Sequence, residues 1–125
     1  MEQIFSKNAP AAIGPYSHAI VHDSLVFCSG QIPLDPQTME IVGKTIEEQT
    51  VQVMKNLEAV LTTAGTGLDK IIKTTIFLDN MNDFSLMNTV YENALKGHKP
   101  ARSTVEVSRL PKDVLIEIEC IAASR

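Results

Sequence analysis

The 125-residue chain predicts an α+β sandwich, with two helices packed on one face of a mostly antiparallel sheet. Three observations lead there. β-prone and helix-period segments follow one another as β-β-α-β-α-β-β. Only two segments have helical period, and each carries a single apolar stripe that must be buried against something. The remaining runs are short, β-branched or alternating, and are bounded by Gly, Pro, Asn and Asp. The length suits one domain over residues 1–125, with one core. The second face of the sheet must then meet water or another subunit.

Each element has a local cause. Residues 9–16 contain two prolines and a glycine, so they read as an ordered loop. Residues 17–22 and 25–29 are β-prone and flank Asp23-Ser24, which makes a hairpin. Residues 30–36 leave the sheet as a loop. Thr45-Ile46-Glu47-Glu48 is a capping box. Ile46, Val53, Leu57, Val60 and Leu61 follow at helical spacing, and Ala64-Gly65 supplies a stop, predicting a helix over about 45–64. Residues 69–78 read as a strand rich in β-branched side chains. Asn82-Asp83 is the expected cap of a second helix, whose stripe is Phe84, Met87, Val90, Tyr91, Ala94 and Leu95. Gly97 to Pro100 ends it. Two last strands, about 101–108 and 114–122, are joined by residues 109–113.

Composition excludes several classes of function. Hydrophobic residues make up 44% and charged residues 21%, which is globular rather than disordered. The net charge is −4 and the eleven Lys and Arg are scattered, which argues against tight binding to nucleic acid. Cys28 and Cys120 lie in apolar runs and read as buried thiols. His18, His22 and His98 are dispersed, and no Cys-x-x-Cys pair or zinc spacing occurs, so no metal site is expected. Residues 1–7 lack an apolar signal core, and no run approaches the ~18 residues of a membrane span. The chain reads as soluble and cytoplasmic.

The candidate chemistry lies in the last two strands. In residues 100–107, Arg102, Thr104 and Glu106 alternate with Ser103, Val105 and Val107. In residues 116–120, Glu117 and Glu119 alternate with Ile116, Ile118 and Cys120. If these strands pair as a hairpin with matched apolar faces, Arg102, Thr104, Glu106, Glu117 and Glu119 share one sheet face. Such a face is a solvated ladder of cross-strand ion pairs, a salt bridge at a subunit contact, or a site for a small carboxylate beside a general base. The pairing argument does not choose between Glu117 and Glu119. Ser29-Gly30 could form an anion-binding turn and Tyr16 an aromatic wall. No nucleophile elbow and no HExxH motif occurs.

Longer motifs add to this. The run Ala9-Pro10-Ala11-Ala12-Ile13-Gly14-Pro15-Tyr16-Ser17, the segment Ser29-Gly30-Gln31-Ile32-Pro33, and Asn88-Thr89-Val90-Tyr91 are followed by two C-terminal blocks. These are Pro100-Ala101-Arg102-Ser103 to Leu110-Pro111-Lys112-Asp113, and Ile116-Glu117-Ile118-Glu119. In order and over nearly the whole chain they resemble the RidA/YjgF family of reactive-intermediate (imine) deaminases. The resemblance implies a chorismate-mutase-like sandwich and a homotrimer with sites between subunits. It implies hydrolysis of small 2-imino acids, such as 2-iminobutanoate and 2-iminopropanoate (the imine of 2-aminoacrylate), to 2-keto acids and ammonia, with no cofactor. By position, Arg102 would grip the substrate carboxylate and Glu117 would orient or deprotonate the attacking water. The backbone at Thr104 would help hold that water. Tyr16, Ser29, Gly30 and Asn88 would line the site. Many members carry aromatic residues where this chain has Ala94-Leu95, and a hydroxyl residue where it has Cys28. The competing expectation is a non-catalytic carboxylate-binding or regulatory trimer, in which Arg102 serves and Glu117 is dispensable.

Overall fold

The expected hairpin forms at the N-terminal side of the sheet. In a computed structural model of the chain, which describes residues 1–124, β2 (Ala19–His22) pairs antiparallel with β3 (Leu25–Gln31). Asp23 takes the left-handed conformation in the turn, with φ 55°. A strand not expected from the sequence, β1 (Glu2–Ile4), pairs with β2 at the edge. Helix α1 (Ile46–Thr63) opens on the capping box as expected: the Thr45 hydroxyl accepts from the Glu48 N–H, and the Glu48 side chain accepts from the Thr45 N–H. After α1 come β4 (Ile71–Leu78), α2 (Phe84–Leu95), β5 (Ala101–Glu106) and β6 (Ile116–Ala123).

The second helix is capped one turn earlier than its sequence implies. Asp83 makes no side-chain cap bond. Instead a 3₁₀ turn, Met81–Asp83, leads into α2, and Asn80 Oδ1 accepts from the Asn82 N–H at 2.8 Å. Short polar side chains satisfy the first free N–H groups wherever the chain begins to coil, and here coiling begins at the 3₁₀ turn.

The strand order is β1-β2-β3-β6-β4-β5, with every neighbouring pair antiparallel except β4–β5. This corrects the expected terminal hairpin. β6 enters between β3 and β4, and β4 separates it from β5, which lies at the sheet edge. The parallel β4–β5 pair comes from a β-α-β crossover through α2. Both helices cover one face, with α1 against β3 and β6 and α2 against α1. Val53, Leu57, Val60 and Leu61 of α1 and Met87 of α2 are buried on Val26, Ile76, Leu78, Ile116 and Ile118 of the sheet. Truncating a large side chain here to Ala would cost about 2–5 kcal/mol.

The register decides which way each side chain points. Thr74 of β4 is the partner of both Cys120 in β6 and Arg102 in β5, and Cys120 is the partner of Cys28 in β3. One row across the helix-covered face is therefore Cys28, Cys120, Thr74, Arg102. Ile116, Ile118 and Cys120 face the helices as the alternation of β6 implies. In β5 the alternation is inverted. Arg102, Thr104 and Glu106 share the helix side with Thr74, Ile76 and Leu78, while Val105 pairs with Phe77 on the open side and is 42% exposed. Glu117 and Glu119 also point to the open side, opposite Phe77 and Thr75. The expectation that Arg102, Thr104 and Glu106 share a face with Glu117 and Glu119 is thus overturned. Its premise, adjacency of the last two strands, fails, and an edge strand tolerates an inward charge that a central strand does not.

Both cysteines are buried free thiols, as expected. A hydrogen bond to Cys28, and then burial, push the Cys120 thiol far above the ordinary thiol range. It stays protonated and behaves as a small apolar group. Among the described residues no helix is long and apolar enough to cross a membrane.

Candidate active site: two half-sites on opposite faces

Arg102 is held by α2. Its Nη1 donates to Asn88 Oδ1 at 2.7 Å. The guanidinium carbon lies 5.3 Å from the ring centroid of Phe84 and 5.3 Å from that of Tyr91. Phe84, Asn88 and Tyr91 occur at i, i+4 and i+7, so one helix face presents ring, amide and ring to the cation. Tyr91 is fixed in turn, since its hydroxyl and that of buried Thr74 lie 2.7 Å apart. Burial raises the Tyr91 hydroxyl above its ordinary value, so it stays neutral beside the cation. Among the described residues Arg102 has no carboxylate partner: the arginine–carboxylate pair is Arg109–Asp113. Asn88, Tyr91, Glu92, Leu95, His98, Lys99, Pro100 and Arg102 line a hollow of about 310 Å³, in which Glu92 and Lys99 offset one another in charge. An arginine with aromatic walls, one neutral hydrogen-bond partner and spare donors suits a small carboxylate.

Glu117 belongs to a different hollow. Tyr16, Ser29, Gly30, Ile32, Pro111, Lys112, Glu117 and Glu119 line about 580 Å³ on the open side of the sheet. Burial first, and then the charge of Glu119, raise the Glu117 carboxyl above its ordinary value. The carboxylate lies directly over Gly30, where an added β-carbon would collide with Oε2. The residue type at position 30 thus follows from the close approach of β3 to Glu117.

The remaining expected residues divide between the two places. Tyr16, Ser29 and Gly30 gather with Glu117, and Asn88 gathers with Arg102. The Ser29 hydroxyl donates to the Ser17 carbonyl at 2.7 Å, and its N–H donates to the His18 carbonyl at 2.9 Å. Ser29 therefore braces the strap that carries Tyr16. His18 anchors the same strap: the Ser6 N–H donates to Nδ1 at 2.9 Å, and Nε2 donates to the Pro10 carbonyl at 2.7 Å. These two bonds select the neutral tautomer with its proton on Nε2. Thr104 lines neither hollow, and its buried Oγ1 has no hydrogen-bond partner. Ala94 faces the groove between the helices with Val51 and Met54, whereas Leu95 lines the Arg102 hollow. Only the second of these two positions can shape that hollow.

In the sequence, Phe84 and Tyr91 belong to the apolar stripe of α2, Thr74 is one β-branched residue of a strand, and His18 is one of three dispersed histidines. The one available signal was the i, i+4, i+7 spacing of Phe84, Asn88 and Tyr91. That signal gains meaning only when β5 is known to lie beneath α2. Among the described residues no three His, Cys, Asp or Glu side chains converge as metal ligands.

The fold and site define a class: a two-layer α+β sandwich with an open sheet face, an aromatic-framed arginine on one side and a half-buried glutamate on the other. Comparison with known proteins agrees. The endoribonuclease L-PSP family matches residues 6–124. A RutC family protein of Pyrococcus horikoshii is 56% identical over 121 residues, covering 97% of this chain and 96% of that one. The 2-iminobutanoate/2-iminopropanoate deaminase of Salmonella typhimurium is 47% identical over 125 residues, covering 98% and 97%. Among solved structures, Escherichia coli TdcF with bound serine superposes with a TM-score of 0.95 at 42% identity, over 100% of both chains. The chain belongs to this L-PSP family, which contains the RutC and RidA/YjgF proteins, and its fold is the chorismate-mutase-like sandwich that the resemblance implied.

Proposed function

We propose that the protein hydrolyses small 2-imino acids to 2-keto acids and ammonia, in sites shared between copies of a homotrimer. One observation carries the assembly. Arg102 and Glu117 lie on opposite faces of one sheet, so a pyruvate-sized ligand cannot meet both in a single chain. The open face, on which Phe27 is 41% and Val105 42% exposed, is suited to cover by a second copy. Docking there would set the Arg102 hollow of one copy against the Glu117 hollow of its neighbour. A head-to-tail contact of this kind closes into a ring of three when successive copies are related by a rotation of about 120°.

The chemistry follows from the two halves. Arg102 binds the substrate carboxylate with its planar fork, held at a fixed angle by Phe84, Tyr91 and Asn88. Glu117 holds a water and takes one of its protons as the oxygen bonds to the iminium carbon, whose C=N becomes C–N. The carbinolamine then collapses: Glu117 returns its proton to the nitrogen, and the C–N bond breaks as the hydroxyl O–H electrons form the C=O. The hydroxyl proton passes by way of Glu117 to the departing ammonia, which leaves as ammonium. A carboxyl raised toward neutrality is a better base for this step. The iminium carbon is already electrophilic, so fixing water and substrate supplies most of the acceleration. The deaminase relative and the serine bound by TdcF, an amino acid with the same α-carboxylate, support this reading. The family's endoribonuclease description fits this chain less well, because its net charge is −4.

A coupled assay tests the proposal. An enzyme that releases 2-aminoacrylate is mixed with this protein, and pyruvate formation is followed. Acceleration that disappears in Arg102→Ala is expected, and equal rates with wild type and variant refute the assignment. If the chain is only a carboxylate-binding trimer, Glu117→Gln leaves behaviour unchanged. If it is a deaminase, Glu117→Gln keeps binding and loses turnover.

A further inference from the structure

α1 carries buried amides where an apolar stripe would be expected. Gln49 is 5% exposed and Asn56 1%. An unpaired buried amide is costly, so each must be satisfied, and both are. The Asn56 amide nitrogen donates to the Ile32 carbonyl at 3.1 Å and the Leu34 carbonyl at 3.0 Å, while its oxygen accepts from Gln52 at 2.9 Å. Gln49 reaches two separate loops. Its nitrogen donates to the Gly43 carbonyl at 3.2 Å, and its oxygen accepts from the Leu115 N–H at 2.8 Å.

These loops wall the Glu117 hollow. The end of β3 carries Gly30, and the loop after it carries Ile32, into one wall, and that loop runs on to Gly43. The loop before β6 carries Pro111 and Lys112 into the other. Leu115 is the last residue before β6, two positions from Glu117. Its peptide is tied on both sides, because its carbonyl also accepts from the Asp79 N–H at 3.1 Å.

We infer that Gln49, seconded by Asn56, is a positioning residue for this hollow: its amide ties the two walls together and sets how closely Glu117 is held over Gly30. The inference deepens the deaminase reading and rests on it only for the meaning of the hollow. Gln49 touches no ligand and acts through Leu115 and Gly43. Because burial is the leading cause of Glu117's raised titration, loosening the walls admits water and lowers it.

The test is Gln49→Met, which keeps length and helix preference and removes both hydrogen bonds. Two readouts need no turnover: the titration midpoint of the Glu117 carboxyl by carbon NMR, and hydrogen exchange of the Leu115 amide. In a folded variant the midpoint is expected to fall toward the ordinary carboxylate range, and Leu115 to exchange about tenfold faster. A role confined to holding the fold together would lower the melting temperature and leave the Glu117 midpoint in place, and that result overturns the inference. If Gln49→Met does not fold, the wild-type chain decides. A Leu115 amide protected like the centre of β6 supports the inference, and one exchanging like an open loop overturns it. A wild-type chain that leaves imino acids untouched, beside a variant that shifts Glu117, sinks the deaminase reading and leaves this one standing.

Discussion

The carboxylate of Glu117 rests on Gly30, in the space that a side chain at residue 30 would occupy. Gly30 does not take the left-handed conformation, so alanine is allowed there by backbone alone. Gly30→Ala therefore acts through contact: the new methyl drives Glu117 out of its place. The carboxylate is the free end of a flexible chain, so stability should change by less than about 1 kcal/mol. Imine hydrolysis should fall by about a hundredfold or more, in kcat rather than KM, because Arg102 still binds. Steady-state kinetics beside a thermal melt separate the two effects.

Glu117 should also weaken the fold at neutral pH. Its carboxyl is raised in the folded state, so the folded protein holds this proton more tightly than the unfolded chain does. Stability from this group is complete at low pH and is lost as pH rises from the unfolded value through the raised folded one. Glu117→Gln removes that loss. The variant should melt above wild type at pH 7, and the curves should converge near pH 4, while turnover disappears. Melts at both pH values check the sign, and a gap that widens toward low pH contradicts it.

Tyr91→Phe separates the two jobs of Tyr91. The ring that faces Arg102 is kept, and the hydroxyl that meets Thr74 is lost, leaving fully buried Thr74 without that partner. A loss of about 1–2 kcal/mol is expected in denaturant unfolding. Affinity for a 2-keto acid should stay within a factor of about two, since ring faces and Asn88 still frame the guanidinium. Tyr91→Leu, which removes the ring, should weaken that affinity as well.

Mixing two inactive variants tests the shared site. In an Arg102→Ala chain the Glu117 hollow is intact, and in a Glu117→Gln chain the arginine is intact. When the two are unfolded and refolded together in equal amounts, about a quarter of the contacts in a ring pair an intact arginine with an intact glutamate. Recovery of about a quarter of wild-type activity is expected. No recovery would place both groups in one chain's site, contrary to the proposal.

Thr45→Ala removes half of the capping box at α1 and leaves the Glu48 N–H without its acceptor. About 1 kcal/mol of stability should be lost, read by chemical denaturation. The hydrolysis rate should not change, because Thr45 lines neither hollow.

Much of this protein was legible in one dimension. Thr45 and Glu48 announced α1, Asp23-Ser24 announced the first hairpin, and the alternation of Ile116, Ile118 and Cys120 correctly assigned the inner face of β6. These are local matters of period, capping and turn chemistry, which neighbours in the chain decide. The family's motifs also single out Arg102, Glu117, Tyr16, Ser29, Gly30, Asn88 and Thr104 as site candidates, and all but Thr104 line one of the two hollows. What only the tertiary structure decided was how that set is divided. Adjacency in the chain predicts that the last two strands pair, yet β6 lies between β3 and β4, and β4 lies between β6 and β5. That insertion turned Arg102 toward Phe84 and Tyr91 and left Glu117 on the far side of the sheet. Strand alternation specifies that neighbouring residues point apart, but the order of strands in space specifies which direction is inward, and that order depends on contacts between segments far apart in the chain.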